Sequence, residues 1–239
     1  MFLSALVFMF GFFLFLTGIF VFKESLKVIP HRFVENILAN AASSPLKGAV
    51  TSTFLTALVQ SSSLVMILTI GFVDAGILGF PQTIGIILGA NIGTCITSQI
   101  ISLDLTDFAL KAMILGIVLL PVSKTLGYFI LGLGTAFKGL SLLSLGAMPL
   151  TDSKIFYQAM NISVNHPMVG VIFGVISTAI IQSSSVIIGI LIALAQNDLL
   201  ELQAALPIIL GSNLGTCITA FLASFGSGRT AKQVALAHG

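Results

Sequence analysis

The sequence predicts an all-α membrane protein made of two copies of one helical unit. Three observations carry this: apolar segments of membrane-spanning length recur along the chain, charges are few, and two polar motifs return at a fixed distance. Of the 239 residues, 56% are hydrophobic and only 8% charged, with a mean hydropathy of +1.13, against about 25% charged residues in an ordinary soluble domain. About 17 to 25 apolar residues suffice to cross a hydrocarbon core as a helix. The alternating polarity of a membrane β-barrel is absent. A net charge of +2, scattered through loops without a basic stripe, excludes an electrostatic case for nucleic acid.

TALVQSSSL at Thr56 returns as TAIIQSSSV at Thr178, and GANIGTCIT at Gly89 returns as GSNLGTCIT at Gly211, both 122 residues later. Without gaps, residues 56–100 match 178–222 at 18 of 45 positions. The matches cluster in the polar motifs, although apolar positions had more opportunity to coincide by composition. Tandem copies of this kind are a signature of transporters built from structural repeats. The first copy is taken as residues 1–124 and the second as 125–239.

In the first copy an apolar helix is expected at about residues 3–22, where the basic start and small-residue cleavage pattern of a secretory signal are missing. A polar, partly amphipathic connection follows through Lys23, Glu24, Lys27, His31, Arg32 and Glu35. Next come a motif segment at about 45–73, a linker with Asp74 and Gly76, and an apolar segment at about 82–102 carrying GANIGTCIT. Past Asp104 and Asp107, another apolar segment at about 108–120 stops before Pro121 and Lys124. The second copy repeats the order: a helix near 125–145, a connection through Asp152, Lys154 and Asn161, and a motif segment at 167–196. A linker with Asp198 and Glu201 then leads to an apolar segment at 203–224. The counterpart of Thr106 to Pro121 would begin near Gly228 and run past Gly239. The second copy is therefore expected to lack its final helix, and the chain to be a segment of a longer protein.

Gln60-Ser61-Ser62-Ser63 interrupts an apolar run, and two readings are open. A continuous helix could return the Ser hydroxyls to its own carbonyls and pair the Gln with a neighbour. Consecutive Ser residues are, however, poor in helix interiors and good as N-caps, which favours two half-helices forming a hairpin that enters and leaves one membrane face. The half-helix beginning at Ser62 would then aim unpaired N–H groups and its positive dipole end at the membrane centre. Such an end attracts an anion, the hydroxyls add donors, and hydroxyl and amide oxygens also suit a hard monovalent cation. The motif holds no charged residue, so an anion there needs a co-bound cation such as Na+.

GANIG and GSNLG are GxxxG patterns, and close helix packing is their plain reading. Two features go beyond it. An amide, Asn91 or Asn213, sits between the glycines, and hydroxyls follow at Thr94 and Thr97, or Thr216 and Thr219. Paired Gly would also ease local unwinding and free carbonyls for a cation. Cys95 and Cys217 read as small buried residues rather than a disulfide. His31, His166 and His238 are isolated, and neither a hydrolase motif nor a phosphate loop of the P-loop kind is found, so enzyme activity is not expected.

Two QSSS segments, each followed about thirty residues later by GxNxGT, resemble the type II sodium-dependent phosphate cotransporter family. The likeness covers most of the chain. It implies inverted repeats, each with transmembrane helices, a QSSS re-entrant hairpin and an adjacent interrupted helix, with the twin QSSS clusters facing across the centre. By this resemblance phosphate is held by Gln60, Ser61, Ser62, Ser63, Ser183, Ser184, Ser185, Asn91 and Asn213. Sodium is held by Gln182, Ser183, Ser63, Asn91, Thr94, Thr97, Asn213, Thr216 and Thr219. Cys95 and Cys217 replace the second Thr that usually follows GT in the family.

If the hairpins do not cross, each copy crosses three times and the copies are inverted. An external N-terminus then places Lys23, Lys27, Arg32, Lys47, Lys124, Arg229 and Lys232 in the cytoplasm, with Lys138 and Lys154 outside, in accord with the positive-inside rule. Continuous crossings give parallel copies that obey the rule about as well. The expectation is a sodium-coupled phosphate symporter working by alternating access in a bacterial inner membrane. Its partners would be inorganic phosphate, Na+ and the lipid bilayer, with Na+ as coupling ion, no cofactor, and a homodimer compatible with the sequence. Two alternatives stand beside it: the same architecture for another small anion or an amino acid, and a non-transporting packing component.

Overall fold

The computed structural model describes residues 2–26, 30–41, 44–103, 105–151 and 154–239. Lys27, Asp104 and Asp152, which the sequence reading used as loop charges, lie outside them, as does the side chain of His31. Every regular element among the described residues is helical. In order they are α1 (Phe2–Leu26), α2 (His31–Ala41), α3 (Pro45–Val59), α4 (Ser62–Asp74), α5 (Phe80–Ser102) and, after a 3₁₀ turn at Thr106–Phe108, α6 (Ala109–Leu119). The second copy supplies α7 (Lys124–Thr151), α8 (Lys154–Asn165), α9 (Pro167–Ile181), α10 (Ser184–Gln196), α11 (Leu202–Ala223) and α12 (Arg229–His238). Within the described residues α1, α5, α7 and α11 are long and apolar enough to cross a membrane.

The polar connections expected around Arg32 and Lys154 are helices, α2 and α8, each amphipathic. The first helix also outlasts its apolar run. Lys23 and Glu24 are good helix formers, so α1 continues to Leu26 and Lys23 belongs to its last turn.

The chain divides into two compact units, residues 1–28 with 99–212, and residues 29–98 with 213–239, so each unit takes pieces of both sequence copies. In the first unit α1 and α7 run antiparallel, Gly11 against Gly139 and Gly18 against Gly132. A Cβ on Gly18 would come within 2.6 Å of Ala136 Cα, and one on Gly139 within 2.6 Å of Phe15 Cα. Small residues let the two backbones touch, as helix association in lipid requires. Phe15, Ile19, Phe137 and Val186 are buried in the core beside this contact.

The second unit buries Val34, Leu38, Val65, Met66, Ile86 and Val234 together. Here α3 and α5 run parallel: Gly85 lies on Pro45, Gly89 on Ala49 and Ser52, and Gly93 on Thr53 and Thr56. The intervening α4 must therefore carry the chain back to the level at which α3 began. The first unit repeats the arrangement, with Gly170 on Pro207, Gly174 on Ile208 and Gly211 on Val171.

These contacts correct one expectation. Neither α5 nor α11 is unwound at its Gly-Asn-Gly motif; both are unbroken helices. At Gly89 and Gly93 the absent side chains make room for α3, and at Gly211 for α9, and close packing holds the hydrogen-bond ladder intact.

Candidate functional site

Both QSSS segments break their helices. Pro45 opens α3 behind the Ser44 N-cap, and Pro167 opens α9, each in the first turn, where a missing N–H costs nothing. Each helix then ends on a Gln in the left-handed region, Gln60 at φ 56° and Gln182 at φ 56°, with the Gln N–H bonded to the carbonyl of Thr56 or Thr178. The next Ser is extended and starts the following helix as its N-cap. The interruption read from the sequence is thus located between Gln60 and Ser62, and between Gln182 and Ser184.

In the unit of residues 29–98 and 213–239 the first break gathers both GTCIT motifs. Thr97 donates its hydroxyl to Gln60 Oε1, while Gln60 Nε2 donates to Ala57 O at 2.5 Å. From the second copy Thr219 Oγ1 lies 3.0 Å from Ser63 Oγ. Ser61 Oγ accepts from Leu64 N at 3.2 Å and caps α4. Of the sequence-predicted residues, Gln60, Ser63, Thr97 and Thr219 are therefore brought together as neutral oxygens beside the start of a helix. Ser62 is half-buried in the first turn of α4. Thr94 donates to Ala90 O at 2.9 Å and Thr216 to Asn213 O at 2.6 Å, each within its own helix. Asn91 and Asn213 are exposed, and both accept through their backbone carbonyls, from Cys95 and Cys217 respectively.

The second break lies in the other unit, and its hydrogen bonding differs. Ser184 and Ser185 are buried. Ser183 makes no side-chain cap to α10; its Oγ accepts instead from Lys23 Nζ at 3.0 Å. From the sequence Lys23 belongs to a polar connection and the motif itself holds no charged residue; in the fold the Lys23 ammonium reaches the second motif.

Two further residues escaped the sequence reading. Thr56 and Thr178 occupy equivalent positions, are almost fully buried, and their hydroxyls have no hydrogen-bond partner among the described residues. An unpaired buried hydroxyl costs about 1–3 kcal/mol, so its presence one turn before each break needs a reason beyond packing. The signal was a hydroxyl residue kept in both copies within an otherwise apolar turn. The cysteines are free, Cys217 buried as expected and Cys95 exposed against expectation. Cys217 Sγ donates to His238 O at 3.1 Å, whereas Cys95 Sγ bonds within its own helix to Asn91 O.

Such neutral oxygens at paired helix breaks suit a small oxyanion and a hard cation. A profile of the family described as Na+/Pi-cotransporter matches residues 14–145 and 149–237. The chain is 37% identical over 229 residues to "Uncharacterized protein YqeW" of Bacillus subtilis (strain 168), covering 94% of this chain and 74% of that protein. It is 27% identical over 190 residues to "Putative inorganic phosphate export protein YjbB" of Escherichia coli (strain K12), covering 76% of this chain but 34% of that protein. A stretch of 59 residues is 39% identical to "Sodium-dependent phosphate transport protein 2A" of Rattus norvegicus, covering 25% of this chain and 9% of that protein. No solved structure matches. With the profile spanning nearly the whole chain and one copy of the duplicated motifs inside each of its two matched segments, the chain belongs to the Na+/Pi-cotransporter family.

Proposed function

We propose that the protein is a secondary active transporter that couples Na+ to the movement of inorganic phosphate by alternating access. Its setting is a bacterial plasma membrane. The observation that carries this is the joining of the first QSSS break to the GTCIT motifs of both copies, through Gln60 with Thr97 and Ser63 with Thr219. That cluster offers neutral oxygens that a hard monovalent cation can take as ligands, while the first turn of α4 offers N–H groups to an anion. The antiparallel course of α1 and α7, which hold equivalent places in the two copies, supports inverted repeats. The return of α4 to the starting level of α3 supports re-entrant hairpins.

Uptake of radiolabelled phosphate by proteoliposomes of the natural full-length protein tests this reading. Uptake should need Na+ outside and fail with K+, and Ser62→Ala or Ser184→Ala should abolish it while leaving the protein monodisperse. Equal uptake in both salts would refute sodium coupling. Export is the second reading, favoured by the name of the Escherichia coli relative YjbB. Vesicles loaded with phosphate, with the Na+ gradient set in either direction, separate the two.

A further inference from the structure

The two breaks share sequence and backbone but differ in what holds the N-cap hydroxyl. At the first, Ser61 Oγ bonds Leu64 N and caps α4. At the second, within the unit of residues 1–28 and 99–212, Ser183 Oγ is taken by Lys23 Nζ at 3.0 Å and leaves the first turn of α10 without a side-chain cap. α1 and α10 meet in antiparallel sense, Gly189 lying on Phe15 six residues beyond the Ser183 contact, with Phe15 and Ile19 in one buried cluster with Val186, so Lys23 is held at the tip of the break. Among the described residues Ser183 is its hydrogen-bond partner, and no carboxylate pairs with it. An ammonium whose partner is one neutral hydroxyl is poorly compensated at low dielectric, and an oxyanion is what satisfies its remaining donors. Independently, Thr178 one turn earlier has a fully buried hydroxyl with no partner among the described residues. The residue 122 positions after Lys23 is Leu145, so the sequence supplies this cation in one copy only.

We propose that Lys23 is a tethered cation for the oxyanion at the second QSSS break. Its ammonium and the uncapped N–H groups of α10 together hold a phosphate oxygen, and its charge does there what a co-bound Na+ would otherwise have to do. The two copies thus differ: the uncharged first break seats Na+ beside the anion, and the second adds a built-in charge for that anion. This rests on the phosphate-transport reading above.

Phosphate binding to the purified full-length protein across a Na+ series is the test, in wild type, Lys23→Gln, Lys23→Met and Lys23→Arg. The neutral variants should bind phosphate about tenfold to a hundredfold more weakly at fixed Na+, as loss of a charged hydrogen bond implies. Their dependence on Na+ should become steeper, and Lys23→Arg should stay near wild type. Met suits the apolar surface of α1 if Gln impairs folding. Monodisperse neutral variants with wild-type affinity and unchanged Na+ dependence overturn the inference, and so does loss of folded protein in both neutral variants, which would make Lys23 a structural residue. If wild type itself binds no phosphate, the transport reading falls and this one with it; if wild type binds and the neutral variants match it, only the role of Lys23 is lost.

Discussion

Gln60 and Gln182 hold a left-handed backbone that a side chain with a Cβ adopts only at a cost. Glycine would enter that region freely, so the choice of Gln reflects what its amide does. Gln60→Gly should leave the break intact but lower stability by about 1–2 kcal/mol, because the buried Thr97 hydroxyl loses its acceptor and that cost exceeds the relief of backbone strain, and it should weaken Na+ activation. Gln60→Val should lower stability, since a β-branched residue is strained there. A denaturation series in detergent, read beside Na+-dependent uptake, separates these outcomes. Thr219→Val tests the other contact: loss of one hydrogen bond, about 1 kcal/mol, predicts a roughly fivefold rise in half-saturating Na+. An unchanged Na+ curve would remove Thr219 from the cation seat.

Among the elements, the long helices pack through glycines that lie where two backbones meet. Gly89→Ala puts a methyl on Ser52 Oγ and Ala49 O, and Gly18→Ala puts one on Ala136; each should lower the melting midpoint, by about 1–3 kcal/mol in stability. Gly71→Ala in α4 meets nothing within 4 Å and should be neutral or stabilising by up to about 1 kcal/mol, since Ala favours helix over Gly. A melting series on these three variants decides whether glycine marks close packing or merely helix composition. The re-entrant reading of α3 and α4 is tested by single cysteines at Leu46 and Ala75, both exposed at the outer ends of the pair. A membrane-impermeant maleimide should label both from one side; labelling from opposite sides would favour a full crossing.

For the whole molecule, the compact units and the sequence copies are different partitions of one chain, because the first unit draws on 1–28 with 99–212 and the second on the remainder. Cys217, buried under the His238 carbonyl, reports on the second unit. In a Cys95→Ser background its reaction with maleimide should be slow until the protein melts. Rapid labelling of Cys217 in folded protein would contradict its burial.

Composition and the 122-residue repeat were enough to set an all-helical membrane chain, its apolar helices and the QSSS segments as the candidate places for a break; that the helices end there, rather than run on, came from the fold. These depend on local chemistry: hydrocarbon admits only self-bonded helices, and consecutive Ser and Pro cap rather than extend them. The continuity of α5 and α11 was not legible, because Gly permits unwinding and close packing alike and only a neighbour such as Ala49 or Val171 chooses. Nor was Lys23 at Ser183, 160 residues away. A charge at the end of an apolar run looks like a loop in one dimension, and only the antiparallel packing of α1 and α10 turns it toward the second motif.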